Sequence, residues 1–276
     1  MAKRDRKHAS NKARRLGRGV GRGADYKPLL FVQDYSGKGL GTRIWGWKSA
    51  REHHLFSKLE LSAFYMLEWA DTVVDIRERF PLDQEETRAI AELLGIPHPN
   101  DPITGGTMTT NFLVTVQRGL ETIDYARTIM YAESLAKNGV LERLEIERAY
   151  WVRRDIEWGV ITEREIDETL VKNVEWLHRC RDVRNIAPLT ADTIRRVETT
   201  LAPRVTASAL PLRDLTAECD DLLGLEPGSA LTVVRHLLAN RQWQVDMMRP
   251  INPATPLVVT GFASSHKGLR LAGGAA

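Results

Sequence analysis

This sequence of 276 residues has few of the features that mark secreted, zinc-binding or membrane-spanning proteins. It contains two cysteines, Cys180 and Cys219, and their spacing fits neither a zinc site nor a disulfide framework. No run of about 18 apolar residues occurs, so no segment is expected to span a membrane. The basic N-terminus is not followed by the apolar stretch of a secretory signal. A reducing, cytoplasmic setting is therefore the expectation.

Acidic residues are scarce at the N-terminus. Residues 1–23 contain nine lysines and arginines against one acid, Asp5, which leaves −5 on the remainder because the whole chain carries +3. Glycines separate these charges, so the segment is predicted to be a flexible basic arm. Such an arm can neutralise DNA or RNA phosphates, and a solvated terminus without a ligand fits the pattern equally well. The candidate DNA-binding residues are Lys3, Arg4, Arg6, Lys7, Lys12, Arg14, Arg15, Arg18 and Arg22.

The remainder has the composition of a globular protein, with 43% hydrophobic and 27% charged residues in the whole chain. Ser57 and Glu60 fit a capping box at the start of a helix. The hydrophobic periodicity predicts helices and strands in the order 57–70 (helix), 72–82 (strand), 84–94 (short helix), 110–116 and 121–131 (strands), 133–154 (helix) and 157–162 (strand). That order indicates an α/β domain around one mixed sheet flanked by helices.

The segments on either side of this domain are also predicted. Residues 28–35 and 42–48 are expected to be extended around a glycine-rich turn. Thr162 and Glu165 are expected to cap the next helix. Later candidate elements are helices at 163–180, 190–201, 212–223 and 229–240 and a hairpin within 243–260, a pattern typical of a winged-helix-like module. The predicted domains are the arm at 1–23, an α/β domain at 24–165, the helical domain at 166–260 and a flexible tail at 261–276.

Metal-dependent phosphodiester cleavage requires a recognisable set of residue types. Carboxylates hold Mg²⁺ through oxygen, and the metal activates a bound water and stabilises charge at the phosphorus. A nearby lysine can stabilise the nucleophile or the transition state. A common arrangement has glutamate on a helix, aspartate at a strand end and a Glu/Gln-x-Lys pair on the next strand. Alternation along that strand sends both residues of the pair to one face.

Several segments of this chain resemble the TnsA family, the endonuclease subunits of heteromeric cut-and-paste transposons. They are "GADYKPLLFVQD" (23–34), "HHLFSKLELSAFYMLEWADTVVDIRERFPL" (53–82), "TTNFLV" (109–114), "LERLEIERAYW" (141–151), "IEWGVITEREI" (156–166) and "NVEWLH" (173–178). Because the motifs occur in order, the resemblance is specific over roughly residues 20–180. The C-terminal part resembles the family by architecture.

The resemblance implies a restriction-endonuclease-like (PD-(D/E)xK) domain followed by a winged-helix-like domain. It also implies Mg²⁺-dependent cleavage of the 5′ strands at transposon ends, with Mn²⁺ as a possible substitute. The implied partners are transposon-end DNA, a TnsB-like transposase that cuts and joins the 3′ strands, and a TnsC-like AAA+ regulator that contacts the C-terminal region.

Carried over position by position, the family's catalytic residues do not all persist. The helix glutamate falls on Glu60, the metal-binding aspartate on Asn111, and the Gln-x-Lys pair on Thr128 and Met130. A further helix glutamate falls on Glu147, a weak candidate ligand. Asparagine keeps the shape of aspartate without its charge, and methionine removes the cation. The resemblance therefore implies weakened Mg²⁺ binding and weakened or abolished cleavage.

Other interpretations stay open at this level. The chain could be an active Mg²⁺-dependent endonuclease with an altered ligand set built on Glu60, Glu147 and Asp124. Asn111 and Met130 could have been introduced deliberately into an active enzyme. A stand-alone DNA-binding or repair nuclease with the same fold is a further alternative, against which the long resemblance argues.

Each candidate residue also has a structural interpretation. Glu60 can be a helix cap, Asn111 a turn residue, and Met130 a packing residue. The adjacent histidines 53 and 54 point to different sides of an extended segment, so they are not a metal pair and are expected to be structural or DNA-facing.

Overall fold

The computed structural model describes residues 17–34, 41–100, 103–137, 139–182 and 189–263. In chain order the regular elements are β1 (Thr42–Trp45), β2 (Glu52–Leu55), α1 (Lys58–Trp69), β3 (Val73–Pro81), α2 (Gln84–Leu94), β4 (Thr109–Arg118), β5 (Glu121–Ile129), α3 (Val140–Val152), β6 (Glu157–Ile161), α4 (Glu168–His178), α5 (Ala191–Ala207), α6 (Leu212–Leu223), α7 (Ser229–Ala239), β7 (Trp243–Val245) and β8 (Val259–Phe262). The chain divides into two compact units, Met1–Ile166 and Asp167–Ala276.

Helix α1 begins where the sequence predicts. Ser57 has an extended backbone, and its hydroxyl accepts a hydrogen bond from the Glu60 N–H at 3.1 Å. This N-cap satisfies one of the donors that the first turn leaves without a partner. The carboxylate of Glu60 does not close the predicted capping box on Ser57. It accepts from the Phe56 N–H at 2.8 Å and is directed towards the candidate site.

The first unit is built on one mixed four-stranded sheet, in agreement with the predicted α/β architecture. The strand order is β3-β4-β5-β6, with antiparallel pairs except for the parallel pair β5–β6. Because β4 and β5 form a hairpin, the start of β4 lies beside the end of β5. This topology brings Asn111 and Met130, which are far apart in sequence, to one edge of the sheet.

Apolar side chains cover both faces of this sheet. Alternation along β4 sends Phe112 and Val114 into a cluster with α1, and Leu113 into a second cluster with α2 and α3. The most deeply buried large side chains include Phe64 in the first cluster and Trp151 in the second. The two clusters fix α1 and α3 relative to the sheet, and these helices carry the two predicted site glutamates.

The small hairpin of β1 and β2 is tied to the main sheet by a buried polar cluster. Glu78 of β3 accepts hydrogen bonds from Arg51 at 2.9 Å and from the His54 N–H at 3.2 Å. His53 lies 2.8 Å from Glu78 through Nδ1 and 2.6 Å from Ser49 through Nε2. Both histidines are buried, so of the two predicted roles the structure supports the structural one.

Three local predictions were wrong. The segment 28–35 was expected to be extended, but Val32–Asp34 forms a 3₁₀ turn because the Asp34 carboxylate accepts from the Phe31 N–H at 2.9 Å. The helix expected over 133–154 is divided into a 3₁₀ segment, Ala132–Ala136, and α3, which begins after Gly139 in a left-handed conformation. The glycine there interrupts the helix because it adopts positive φ without strain.

The third difference lies after β6. Thr162 and Glu165 do interact, since Thr162 donates both its N–H and its hydroxyl to the Glu165 carboxylate at 2.7 Å. This contact closes a turn and does not cap a helix. Helix α4 begins three residues later, with Asp167 as its N-cap accepting from the Leu170 N–H at 2.8 Å.

The predicted basic arm falls in two parts. Residues 1–16, which carry Lys3, Arg4, Arg6, Lys7, Lys12, Arg14 and Arg15, lie outside the described residues. Arg18 and Arg22 are described and are not free: Arg18 pairs with Asp34 at 2.5 Å, and Arg22 pairs with Asp124 at 3.0 Å. The arm predicted at 1–23 therefore includes two arginines whose charges are matched within the first unit.

The second unit contains α4 to α7 and the antiparallel pair β7–β8. Its core includes Leu201, Leu212, Val233, Leu237 and Trp243, all essentially inaccessible to solvent. Strand β8 ends at Phe262, two residues into the segment predicted as a tail. Both cysteines are free and buried, and burial raises the pKa of each thiol. Within the described ranges, no helix is both long and apolar enough to cross a membrane.

Candidate active site

A cleft of about 1110 Å³ opens in the first unit, where α1, the sheet edge and α3 meet. Its lining includes four of the five predicted site positions, namely Glu60, Asn111, Met130 and Glu147. The fifth, Thr128, is buried behind the cleft and contacts Glu147. The structure thus brings together residues that are up to 87 positions apart in sequence.

The carboxylate of Glu60 is surrounded by hydrogen-bond donors. Its Oε2 accepts from the Phe56 N–H at 2.8 Å. Its Oε1 accepts from the Asn111 amide at 2.7 Å and from the Arg79 guanidinium, with which it forms an ion pair. Because Glu60 is only 5% exposed, these contacts provide the compensation that a buried negative charge requires.

Asn111 uses both ends of its amide. Its Nδ2 donates to Glu60, and its Oδ1 accepts from the Ile129 N–H of the neighbouring strand at 3.0 Å. The backbone donor on one side and the carboxylate on the other determine which end is nitrogen. An aspartate here could keep the bond to Ile129, but it would place a second carboxylate oxygen against Glu60. Asn111 can contact Glu60 directly because its amide donates a hydrogen bond. Two carboxylates at this distance would need a cation or a proton between them.

Arg79 is a site residue that the sequence analysis missed. It lies in β3 between Glu78 and Phe80, whose partners in β4 are Phe112 and Thr110, so it stands opposite Asn111. Its backbone is left-handed, with φ of 48°. The feature that could have indicated a role for Arg79 is a positive charge near the end of a strand that is otherwise largely buried. Lys137 and Arg143 also line the cleft, so three basic residues share its lining with the two glutamates.

Glu147 occupies the other side of the cleft in a different environment. Its Oε1 accepts from the hydroxyls of Thr110 and Thr128, each at 2.6 Å, and Thr110 accepts in turn from the Trp151 indole at 2.7 Å. Burial raises the pKa of the Glu147 carboxyl above its usual range, although the two threonine hydrogen bonds oppose this shift. Glu147 is therefore a buried acid held against two strands, and the solvated helix acid paired with Arg143 that its structural interpretation predicted is not what the structure shows.

We expect E147Q to stabilise the protein at neutral pH. A folded-state pKa above the ordinary value of 4.5 lowers the free energy of unfolding as the pH rises past 4.5, because the unfolded chain then loses its proton more readily. Glutamine retains an acceptor for both threonine hydroxyls without the charge. Urea denaturation should show E147Q more stable than the parent at about pH 7 and equal to it at about pH 4.

A matched control lies on the same helix. Glu145 is exposed and paired with Arg148, and a hydrogen bond from Arg148 lowers the pKa of its carboxyl. E145Q should therefore change stability little, and in the opposite direction. A loss of stability in E147Q at neutral pH would contradict the interpretation of Glu147 as a buried, charge-disfavouring site.

The side-chain atoms that could serve as metal ligands in the cleft do not fit a divalent cation. Mg²⁺ selects oxygen ligands, usually including one or two free carboxylates. Here Asn111 presents its NH₂ group towards Glu60, and Oε1 of Glu60 already accepts two hydrogen bonds. Thr128 donates its hydroxyl proton to Glu147, and Met130 offers a thioether. In the described part of the chain no group of three or more His, Cys, Asp or Glu could hold a metal.

Asp124 does not supply the ligand that an altered metal site in the cleft would need. Its carboxylate accepts from Arg77 at 2.8 Å and from the Thr115 hydroxyl at 2.6 Å, and it pairs with Arg22. Burial acts to raise its pKa, but the hydrogen bonds from Thr115 and Arg77 outweigh burial and lower it. The charge of Asp124 is therefore matched by arginines, and its side chain is not among those that line the cleft.

Comparisons with known proteins agree with the motifs. The family described as "TnsA-like endonuclease N terminal" matches residues 70–163, which include Asn111, Thr128, Met130 and Glu147. The family described as "TnsA endonuclease C terminal" matches residues 165–247. The chain is 37% identical over 230 residues to the Escherichia coli protein "Transposon Tn7 transposition protein TnsA", covering 83% of this chain and 82% of that protein. With a relative of this identity over most of both lengths, and with both family matches in order, the chain belongs to the TnsA family of transposition endonucleases.

Proposed function

We propose that this protein is the TnsA-like subunit of a DNA transposition complex and that its own strand cleavage is weak or absent. In this role it binds transposon-end DNA and joins a TnsB-like transposase to a TnsC-like AAA+ regulator, the latter through its C-terminal unit. The proposal assigns a restriction-endonuclease-like fold to the first unit and a winged-helix-like fold to the second.

One observation carries the proposal: Asn111 donates a hydrogen bond to Glu60 at 2.7 Å where the family has a metal-binding aspartate. The amide cannot supply the charge on which Mg²⁺ binding depends. Met130, at the position of the family's lysine, supplies no cation to the cleft. Loss of one electrostatic stabiliser commonly lowers a rate by about 10²–10³-fold, and loss of a ligand together with a cation lowers it further, though not additively.

The alternative of an active enzyme with a changed ligand set finds no support at the atoms concerned. Glu60 is engaged by three donors, and Glu147 is a fully buried acceptor for two threonines. Asp124 is engaged by Arg77 and Thr115. What the cleft can still do is attract a phosphate, since Lys137 and Arg143 line it beside Arg79.

Reconstitution with the TnsB-like and TnsC-like proteins of the same element tests the proposal. With Mg²⁺ or Mn²⁺ and labelled transposon ends, we expect 3′-strand cleavage and joining by the transposase and no detectable 5′-strand nicks. The product should be a cointegrate, because 3′ joining without 5′ cleavage leaves the element attached to its donor. Omitting this protein should reduce 3′ joining if it acts by binding DNA and its partners.

Two controls make the assay decisive. A TnsA with the full aspartate and lysine set, acting on its own ends, establishes that 5′ nicks would be detected. E145Q provides a surface variant of the present chain that should behave as the parent. Clear 5′ nicking by the unmodified chain, in amounts that follow its concentration, would overturn the proposal.

The N-terminal charges provide a separate test of DNA binding. Residues 1–16 contain seven lysines and arginines. Since each phosphate contact adds about 0.9 to the slope of log K against log salt, deleting residues 1–16 should reduce the slope by up to about 6. Fluorescence anisotropy with a transposon-end duplex over a salt series measures both the affinity and the slope.

The matched control replaces residues 1–16 with a shuffled sequence of the same composition. A shuffled arm should bind as the parent does, because the contribution is one of charge and not of sequence. An identical salt slope in the deleted and intact proteins would show that residues 1–16 make no contacts with DNA phosphates.

A further inference from the structure

The side-chain alternation of β3 breaks at Arg79. Ile76 packs with the cluster on α1, and a strand period of two would place Phe80 on the same face. Phe80 instead packs with the cluster on the opposite face, where its ring lies 5.7 Å from that of Trp151. The left-handed backbone at Arg79, with φ of 48°, lies between these two residues and accounts for the change of face.

The neighbouring strand changes face at the same level. Phe112 of β4 packs with the cluster on α1, whereas Thr110 hydrogen-bonds to Glu147 and Trp151 on the other side. Arg79 and Asn111 are the residues between these positions on the two strands, and both direct their polar ends to Oε1 of Glu60. A non-glycine residue with a left-handed backbone, such as Arg79, costs roughly 1–3 kcal/mol. This conformation persists only where the surrounding structure enforces it.

Arg79 is held on three sides. Its guanidinium pairs with Glu60 and lies 4.5 Å from the centre of the Phe56 ring, over its face. Its carbonyl accepts from the Leu29 N–H at 3.3 Å. The side chain is 19% exposed, so the charge is largely removed from water and its attraction to Glu60 is only partly screened.

We propose that Arg79 is the built-in counter-cation of this cleft: it neutralises Glu60 and weakens the binding of divalent ions at that carboxylate, even where position 111 is changed to aspartate. This inference deepens the proposed function and rests on it. A divalent ion on Oε1 would have to displace the guanidinium and would then sit beside a like charge. Loss of the aspartate and presence of the arginine are thus two separate obstacles to metal binding.

The test separates these two obstacles by measuring Mn²⁺ binding directly. Isothermal titration calorimetry and thermal unfolding with and without Mn²⁺ are applied to the full-length chain and to N111D, R79Q/N111D and R79K/N111D. We expect no Mn²⁺ binding by the parent and weak binding by N111D. R79Q/N111D should bind at least tenfold more tightly than N111D, and at an ion concentration about a hundredfold above its Kd its Tm should rise by about 5–10 °C.

The lysine variant separates charge from shape. R79K/N111D keeps a cation beside Glu60, so its Mn²⁺ affinity should stay within about threefold of that of N111D. R154Q/N111D is the matched control for removing an arginine ion pair elsewhere in the unit, since Arg154 pairs with Glu86 at 2.5 Å and should not affect the cleft. If R79Q/N111D does not fold, R79N/N111D replaces it, because asparagine accepts a left-handed backbone readily.

The results separate this inference from the proposed function. Equal Mn²⁺ affinity in N111D and R79Q/N111D would overturn the role of Arg79 and leave the proposed loss of cleavage intact. Tight Mn²⁺ binding by R79K/N111D would show that charge is not the cause of exclusion and would also overturn it. If the unmodified chain binds Mn²⁺ and nicks the 5′ strands, both the proposed function and this inference are overturned.

Discussion

The triple variant R79Q/N111D/M130K is expected to nick the 5′ strands of transposon-end DNA at least about 10²–10³-fold faster than the parent in Mg²⁺. Aspartate at 111 supplies a charge of the kind that Mg²⁺ binding needs, and lysine at 130 supplies a cation at a cleft-lining position. Removing the guanidinium frees the Glu60 carboxylate. The backbone at Met130 is already held, because its N–H donates to the Ile161 carbonyl at 3.2 Å.

Gel analysis of reconstituted reactions measures this gain, and the intermediate variants show how it arises. N111D/M130K should gain less than the triple variant, and R79Q/N111D/M130Q, which lacks the restored cation, should also gain less. The effects should not add, because the residues act on one reacting centre. A triple variant that binds Mn²⁺ and still does not nick would place the remaining defect elsewhere, with Thr128 the first position to examine.

Replacing Glu78 with glutamine should lower the free energy of unfolding by about 3–5 kcal/mol, the usual cost of removing one partner from a buried ion pair. Glu78 is 1% exposed and bonds to Arg51 at 2.9 Å and to His53 at 2.8 Å. E78Q would leave the Arg51 guanidinium, itself 7% exposed, without its counter-charge. Because these contacts join the β1–β2 hairpin to β3, the loss should appear as cooperative destabilisation of the first unit.

The same substitution has a predictable pH dependence. Burial alone would raise the pKa of Glu78, but the charges and hydrogen bonds of His53 and Arg51 outweigh burial and hold the pKa well below its usual range. A depressed folded-state pKa stabilises the protein above the unfolded value of 4.5, and this stabilisation is lost as the pH falls below 4.5. The difference between the parent and E78Q should therefore be full at neutral pH and shrink in acid.

Urea denaturation of the parent, E78Q and E52Q at several pH values checks both statements. Glu52 lies at 3.9 Å from Arg43 with 49% of its side chain exposed, so E52Q should cost less than about 1 kcal/mol. If E78Q is as stable as E52Q at neutral pH, the charge of Glu78 adds no net stability to the buried cluster, and the prediction is wrong.

Much of the architecture follows from local signals in the sequence. The N-cap at Ser57 and the short helix over 84–94 each depend on a few neighbouring residues, and both predictions were confirmed. The order of helices and strands was sufficient to predict a mixed sheet. Predictions that depended on longer patterns were less successful, and the helix expected over 133–154 is interrupted at Gly139 because a single glycine outweighs the apolar periodicity around it.

By itself the sequence determined the family, and the resemblance predicted which positions correspond to its catalytic residues and which two charges are absent there. Only the tertiary structure decided what those positions contact. The left-handed backbone of Arg79 lies opposite Asn111 because β3 and β4 pair in this register, and neither strand's own pattern predicts that placement. As a result, the Asn111 amide and the Arg79 guanidinium both donate to Oε1 of Glu60. These hydrogen bonds join three segments of the chain and occupy an oxygen that would otherwise be open to a metal ion.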